Sequence, residues 1–293
     1  MTGLYGLIEH CCLCTEGQLV PTLPEGPPVY GVTSVGDEIY LLRSKGDRDQ
    51  VQVYDVSSYR FLYCLTVPNS RSFSDMTSCE LFLYLYISDP GVKCIHRLDL
   101  GRGGNFTMWK MSDIPEGLSV NVCHNHNLIV TCPKFGKIKE FSRHGDLLRD
   151  LTLPDDVINP WHAIQLTNGQ FIVCHGCPGD QIHRVCKVSL SIHGGHIIDS
   201  LGGEPGSNIG QYNVPRQLAV DDNEFVFVVD INNRRVTLLS QSLGYKREVV
   251  SCDQFKWEPE RLCLDARRRR LYVADNEVQD GEYTRGRVVV FSV

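Results

Sequence analysis

The sequence predicts an all-β fold, a six-bladed β-propeller of four-stranded antiparallel blades that is closed by the N-terminal strand. Three observations support this prediction. Residues 215–240 have the alternating pattern of three strands separated by polar turns, which is typical of an antiparallel meander. The pattern recurs about every 44 residues, a period that fits a four-stranded blade. The last repeat lacks a fourth strand, and the N-terminal segment can supply it.

The meander itself begins at Pro215, which has no N–H group and therefore tends to precede a strand. Its predicted strands are 218–221, 225–229 and 235–239. Asp222 and Asn223 form the first turn, and residues 231–233 form the second.

Two sets of equivalent positions, here called columns, recur along the chain at nearly the same spacing. The first marks the start of each repeat, and its members are Pro28, Ser72, Pro115, Pro160, Pro215 and Pro259. The second marks the end of the second strand, and its members are Arg43, Asp89, Cys132, His175, Asp230 and Asp275. The single long interval contains the glycine-rich residues 193–210, which we interpret as one insertion. The two columns together predict six stacked units rather than separate domains.

The whole chain, 1–293, is therefore expected to form one propeller domain, with blades starting near 28, 72, 115, 160, 215 and 259. Residues 1–26 are the lead-in and closing strand, through 4–13 or 18–20. The last blade has predicted strands at 262–265, 270–274 and 286–292, with a long loop between the second and third. Asn168 and Gly169 predict a type I′ hairpin in the fourth blade.

The repeat at 215–240 resembles the NHL repeat. The resemblance rests on the leading proline, the apolar run, the Asp-rich turn, the β-branched run ending in Asp230, and Asn233, Arg235 and Val236 after it. It extends over nearly the whole chain, and it is to the C-terminal NHL domain of tripartite-motif-like proteins. It implies a partner-binding platform of the kind that recognises ubiquitin-ligase substrates or RNA. The sequence lacks the recurring motifs of WD40 repeats and the longer period of kelch repeats.

Composition narrows the choice of partner. The formal net charge is −6 and charged residues make up 22% of the chain, so a protein partner is favoured and RNA is the less favoured alternative. No run of 18 apolar residues is present, and the N-terminus lacks the features of a signal peptide. Thirteen cysteines are spread through predicted strands, where reduced thiols pack as small apolar residues. We therefore expect a cytoplasmic monomer that does not bind a membrane.

The candidate binding residues lie on one rim. In an up-and-down blade, the start of the first strand and the end of the second lie at the same edge of the ring, here called the upper face; the opposite rim is the lower face. The upper-face candidates are Tyr30, Arg43, Phe73, Asp75, Trp161, His162, Arg216 and Arg261. The alternative is that these side chains pair with one another or pack between blades.

Other polar groups are interpreted as structural. Asp230, Asn233 and Arg235 are expected to join neighbouring parts of a blade. The arginines at 267–270 are expected in a solvated turn on the lower face, with an RNA or phosphate contact as the alternative. Cys174 and Cys177, with nearby histidines, have only a weak metal-site pattern, because alternation in a strand points neighbouring side chains to opposite faces.

No catalytic residue, metal or cofactor is predicted, since the chain has no nucleophile motif, phosphate loop or metalloprotease signature. The alternative is a metal-dependent hydrolase or lyase, similar to propeller lactonases or peptidyl-amidating lyases. Its ligands would come from Asp75, Glu116, His162 and Glu260. The preferred interpretation is a non-catalytic scaffold for a protein partner.

Overall fold

The computed structural model describes residues 17–20, 22–44 and 49–293. These residues form six four-stranded antiparallel sheets, and the predicted fold class is confirmed. Strands 1–13 cover the closing strand and the first three blades. In chain order they are β1 (Gln18–Val20), β2 (Val29–Val35), β3 (Glu38–Arg43), β4 (Gln50–Asp55), β5 (Phe61–Thr66), β6 (Asp75–Cys79), β7 (Tyr84–Asp89), β8 (Cys94–Asp99), β9 (Asn105–Lys110), β10 (Leu118–Val120), β11 (Leu128–Cys132), β12 (Lys137–Phe141) and β13 (Leu147–Thr152).

The remaining strands form the last three blades. They are β14 (Pro160–Gln165), β15 (Phe171–His175), β16 (His183–Ser191), β17 (Gly194–Gly203), β18 (Pro215–Val220), β19 (Val226–Asp230), β20 (Arg235–Leu239), β21 (Tyr245–Val250), β22 (Glu258–Asp265), β23 (Arg270–Gln279) and β24 (Glu282–Ser292). Three single-turn 3₁₀ helices, Leu100–Arg102, Pro133–Phe135 and Cys252–Gln254, lie in connections.

The hydrophobic core is divided among the junctions between blades. The junction of blades 1 and 2 buries Leu42, Met76 and Ile87, for example, and the junction of blades 6 and 1 buries Ile39 and Tyr272. Each blade has β-branched and aromatic residues on both faces, and one sheet alone cannot bury both. The stability of any blade therefore depends on its two neighbours.

The ring closes through β1, as the sequence predicts. β1 pairs antiparallel with β24, with Leu19 opposite Phe291, so the sixth sheet is completed by the opposite end of the chain. The Leu23 amide extends this contact by donating to the Val288 carbonyl at 2.9 Å. The alternative closing segment, 4–13, lies outside the described residues.

The prediction of a long loop in blade 6 is wrong. Residues 276–286 continue β23 and β24 as a hairpin, with Gln279 opposite Glu282 and a turn at Asp280 and Gly281. Both turn residues have positive φ angles, 52° and 80°, which is the backbone that an Asp-Gly hairpin turn requires. We call residues 276–286 the blade-6 hairpin.

Two smaller expectations in blade 4 also change. The first half of the supposed insertion at 193–210 is strand β17, which pairs with β16. Its glycines do not prevent this, because strand pairing uses backbone groups and does not require large side chains. The Asn168-Gly169 pair does join β14 to β15, but only Gly169 has a positive φ, so the turn is not type I′.

The described part of the chain contains no helix that is long and apolar enough to cross a membrane. Its ten cysteines are all free thiols, and five of them are buried. The cytoplasmic location stays a prediction.

Deletion of residues 1–20 should destabilise the whole ring. The deletion removes β1 and leaves the edge of β24 without a backbone partner. A loss of about 2 kcal/mol would lower the melting temperature by roughly 3 °C in a chain of this size. Calorimetry and light scattering would measure the melting temperature and any self-association.

A shorter deletion, of residues 1–16, keeps β1 and is the control. If both deletions lower the melting temperature equally, or if neither does, β1 does not stabilise the ring as argued.

Candidate functional site

Six equivalent backbone positions surround the axis near the upper face. Each lies near the start of the inner strand, which is the first strand of its blade. Each is opposite the residue that precedes the second-column position in the second strand of the same blade, as in the pairs of Asp75 with Ser88 and Gln217 with Val229. The six residues are Gly31, Asp75, Gly117, His162, Gln217 and Arg261. We call the four with side chains, Asp75, His162, Gln217 and Arg261, the axial cluster.

The two glycines are required by close packing between blades. A Cβ atom at Gly31 would lie 2.5 Å from the Cβ of Met76, and one at Gly117 would lie 2.2 Å from the Trp161 carbonyl oxygen. The inner strands therefore touch through their backbones at these two positions. The axial cluster fills the space that remains.

Asp75 and Gln217 connect blades across the axis. The Asp75 carboxylate accepts hydrogen bonds from the amides of Met76 and Leu118, both at 2.8 Å, and from Gln217 Nε2 at 3.1 Å. Gln217 Oε1 in turn accepts from the Leu262 amide at 2.7 Å. Burial raises the pKa of Asp75 to about 6. The two side chains together tie blades 2, 3, 5 and 6 to one another.

Arg261 is the buried cation of the cluster. Its guanidinium donates to the carbonyl oxygens of Ser74 at 2.6 Å and Tyr30 at 3.1 Å, and its Nε lies 3.7 Å from Asp75 Oδ1. Burial lowers the pKa of Arg261, but the nearby carboxylates of Glu260 and Asp75 outweigh this effect and raise it overall. Arg261 therefore stays charged and compensates the buried acids.

His162 is a neutral donor. Its Nε2 lies 2.9 Å from the Leu118 carbonyl oxygen, which can only accept, so Nε2 carries the proton. Burial lowers the pKa of His162 to about 4, which keeps the ring neutral near pH 7. Nδ1 is buried without a hydrogen-bond partner in the described part of the protein.

A second layer lies above the cluster at the channel mouth. The guanidinium carbon of Arg216 lies 3.4 Å from the centre of the Trp161 ring, and Arg216 Nη2 lies 3.5 Å from Glu260 Oε1. Tyr283, from the blade-6 hairpin, donates to Glu260 at 2.5 Å and contacts Tyr30 edge to face. We call the half-buried residues Tyr30, Trp161, Arg216 and Tyr283 the mouth group.

Glu260 is buried beneath this layer. Burial raises the pKa of Glu260, but the charges of Arg261 and Arg216 and the hydrogen bonds from Tyr283 and Asn276 lower it overall. An ionised Glu260 holds both Arg216 and Tyr283 in place. The mouth group is thereby fixed to the axial cluster.

The eight predicted upper-face residues lie in three environments: the axial cluster, the mouth group, and buried positions away from both. Asp75, His162 and Arg261 are in the axial cluster, and Tyr30, Trp161 and Arg216 are in the mouth group. Phe73 is buried between blades 1 and 2, and Arg43 is buried against the carbonyl oxygens of Pro24, Pro27 and Gly286. Gln217 and Tyr283 were missed. Gln217 occupies the same position as Asp75 and His162, and an alignment of the repeats one residue further would have identified it.

The residues at the strand ends pack within their blades. Asp89, Asp230 and Asp275 are fully buried and accept backbone amides from the loop that leads into the inner strand. Asp230 also binds Asn233 and Arg235, as the sequence indicates.

Of the four residues considered as ligands of a catalytic metal, Asp75, Glu116 and His162 line the same small depression, whereas Glu260 is buried beside Arg216 and Arg261. Asp75 Oδ2 lies 3.9 Å from His162 Nε2, but Arg261 is beside Asp75 and would repel a cation. Within the described residues, the one group of three metal-ligating side chains is Asp89, Cys94 and His96, near the rim of blade 2. His175 and His183 instead contact the carbonyl oxygens of Ile158 and Cys177.

The axial cluster separates two spaces of different size. The depression on the upper side has a volume of about 10 Å³, whereas the cavity on the lower side has about 440 Å³. Val32, Met76, Leu118, Ile164 and Leu218 are among the residues that line this axial cavity. Strand periodicity did not predict the cavity, because its width depends on how six inner strands pack around the axis.

Comparison with known proteins supports the fold. No protein-family profile matches this chain, and no curated protein matches it. Solved structures do match. A streptogramin B lyase is 13% identical with a TM-score of 0.62, covering 92% of this chain and 86% of that chain. Virginiamycin B lyase from Staphylococcus aureus is 11% identical with a TM-score of 0.60, covering 94% and 99%. Kuenenia stuttgartiensis hydrazine synthase is 12% identical with a TM-score of 0.62, covering 96% and 98%.

These similarities show the fold alone. At such low identity they do not transfer an activity or a ligand to this chain. The resemblance to NHL repeats stays a prediction.

Replacing His162 with glutamine should reduce the pH dependence of stability. The folded protein binds a proton at His162 only near pH 4, whereas the unfolded chain binds one near pH 6.5. The contribution of neutral His162 to the free energy of unfolding is therefore complete above about pH 6.5 and is lost as the pH falls toward 4. At pH 5 the loss is roughly 2 kcal/mol. Urea unfolding of the wild type and the variant at pH 7, 6 and 5 would measure this.

The wild type should lose its stability advantage over His162→Gln as the pH falls. His193→Gln, at an exposed site, is the control and should keep a constant difference from the wild type. A constant difference for His162→Gln as well would contradict the assignment of a buried neutral imidazole.

Proposed function

We propose that this protein is a non-catalytic binding module that holds a protein partner at its upper face. The supporting observation is the Trp161–Arg216 pair at the centre of that face. Tryptophan, tyrosine and arginine dominate the energetics of protein interfaces, especially near the interface centre. Here they occur together in the mouth group.

The mouth group is also fixed before any partner binds. Trp161 Nε1 donates to the Gly176 carbonyl oxygen at 3.2 Å, and Arg216 is held between the Trp161 ring and Glu260. A side chain that is already ordered loses less entropy on binding. Binding through these residues therefore costs less entropy than binding through flexible side chains, and the affinity is higher for the same contacts.

The partner is expected to present a carboxylate or carbonyl oxygen to Arg216. The side chain of Arg216 is 15% exposed, and its planar guanidinium can donate to such a group in two parallel bonds. The net negative charge of the chain disfavours a nucleic acid at the same site.

The hydrogen bonds of the axial cluster support a binding role rather than catalysis. Asp75 accepts two backbone amides and Gln217, and Arg261 donates to two backbone carbonyls. These groups hold blades together, and a general base needs an accessible lone pair near the substrate. The lyase activities of the structurally similar proteins belong to those proteins, and we do not extend them to this chain.

Arg216→Gln should weaken partner binding with little change in fold. Partners would be captured from native lysate, identified by mass spectrometry, and titrated as purified proteins against the variant. We expect a loss of at least about 2 kcal/mol, roughly thirtyfold in Kd.

Arg267→Gln is the matched control, because it makes the same change at a 60% exposed side chain on the lower face. It should leave Kd unchanged. If both variants bind like the wild type, or if Arg267→Gln weakens binding as much as Arg216→Gln, the upper face is not the binding face.

The axial cavity supports a second candidate function, the binding of a small and largely uncharged molecule. Its volume of about 440 Å³ is within the range of small-ligand pockets. The charges of Arg267 and Arg268 at its opening are paired with Asp37 and Asp265. An apolar or weakly polar ligand therefore meets paired rather than free arginine charges at the opening.

Native mass spectrometry of the purified chain would test the cavity for a bound molecule. We expect one adduct in the wild type and its loss in Thr77→Phe, which places a ring in the cavity. Thr107→Phe, at an exposed position on β9 of the same blade, should retain the adduct. An adduct that survives Thr77→Phe lies elsewhere.

A further inference from the structure

Three blades bury an aspartate at the same place, and two of them compensate its charge with arginine. In blade 5, Asp230 lies opposite Arg235 across the strand pair, with Arg235 Nε 2.9 Å from the carboxylate. In blade 6, Asp275 lies opposite Arg287 at 2.8 Å. A buried carboxylate without a cation is costly, so each arginine has a clear physical role.

Blade 2 has the aspartate without the arginine. Asp89 is fully buried and lies opposite Cys94 in the same register. Its carboxylate accepts hydrogen bonds from the amides of Arg71 at 2.9 Å and Ser72 at 3.2 Å. Among the described residues, its only side-chain ion-pair contact is with the imidazole of His96.

The three buried side chains of blade 2 face one another. Cys94 and His96 are two residues apart on β8 and therefore share a face of the sheet. His96 Nε2 lies 3.3 Å from Cys94 Sγ and 3.4 Å from Asp89 Oδ2, and the three atoms all lie within 4.8 Å of one another.

His96 Nε2 cannot donate to Asp89 and accept from the Cys94 thiol at the same time. If this nitrogen carries a proton, it can donate to Asp89 but cannot accept from the Cys94 thiol. If it has a lone pair, it can accept from the thiol but then faces a carboxylate oxygen with no proton between them. A cation between the three atoms satisfies all of them at once.

We propose that Asp89, Cys94 and His96 form a binding site for Zn²⁺, which replaces the arginine of the other blades as the counter-ion of the buried aspartate. The donor set of carboxylate, thiolate and imidazole is one that Zn²⁺ prefers. In a tetrahedral zinc site, adjacent N, O and S ligands are about 3.3–3.5 Å apart, given the usual zinc–ligand distances. The distances from His96 Nε2 to Cys94 Sγ and to Asp89 Oδ2, 3.3 and 3.4 Å, agree with this geometry.

Binding exchanges a proton for the metal. The Cys94 thiol loses its proton to solvent and the sulfur becomes the ligand, while Asp89 binds as a carboxylate and His96 through the Nε2 lone pair. The ion brings two positive charges to two anionic ligands, so the buried site becomes neutral. With three protein ligands, a water molecule completes the coordination, as in other zinc sites of this type.

Blade 4 provides an internal comparison. His175 Nε2 lies 3.5 Å from Cys186 Sγ, so a histidine and a cysteine meet there as they do in blade 2. The third group, however, is Arg184, whose Nε donates to His175 Nε2 at 2.9 Å. The arginine takes the imidazole lone pair and would repel a metal ion, so blade 4 should not bind zinc.

The experiment uses the full chain, purified under reducing conditions without chelator. We expect one zinc ion per molecule by elemental analysis, and a sulfur-to-cobalt charge-transfer band when Co²⁺ replaces zinc. Cys94→Ser and His96→Gln should abolish the band or weaken Zn²⁺ binding by more than about a hundredfold, since even changes around metal ligands cost 10–100-fold. Cys186→Ser, the control in blade 4, should bind zinc and cobalt as the wild type does.

The proposal is overturned if the wild type binds neither Zn²⁺ nor Co²⁺ at micromolar concentrations. It is also overturned if Cys94→Ser keeps the charge-transfer band, or if Cys186→Ser loses it. The wild-type spectrum requires no variant, so the test remains decisive even if a substitution prevents folding.

Discussion

Closure of the ring is the constraint on which the other features of this protein depend. Every blade is hydrophobic on both faces, so each sheet needs a neighbour on each side, and only a closed ring provides that for all six. β1 closes the last sheet, and Asn276 fastens blade 6 to blade 1 by bonding both the amide and the carbonyl of Val29 at 2.9 Å. Without this junction, one core and one sheet edge would be open to solvent.

Closure also crowds polar groups at the axis. Six inner strands converge there, and two of the six positions must be glycine because the backbones touch. The other four side chains are buried, so each needs a partner in another blade. Asp75, Gln217 and Arg261 satisfy one another and the surrounding backbone. The axial cluster is therefore both a polar plug in the channel and a set of links between blades.

The same rule of charge compensation acts at the rim. Asp230 and Asp275 have arginine partners, Glu260 has Arg216 and Arg261, and Asp89 has a thiol and an imidazole. In the first three cases, an arginine of the chain compensates the buried carboxylate. For Asp89, the proposed Zn²⁺ is the counter-ion. At the channel mouth, the compensated pair of Arg216 and Glu260 leaves the guanidinium partly exposed, and this exposure is what makes a binding role physically reasonable.

The sequence alone determined the number of blades, the register of their strands and the closing role of the N-terminal segment. These features follow from local alternation and from a repeat period, which can be read without knowing any contact between blades. It also placed Asp75, Trp161, His162, Arg216 and Arg261 near one opening. Only the tertiary structure decided that Phe73 and Arg43 are buried, that Gln217 and Tyr283 join the site, and that the wide cavity lies on the lower side. Each of these depends on distances between residues of different blades, and the periodicity of one strand contains no information about those distances.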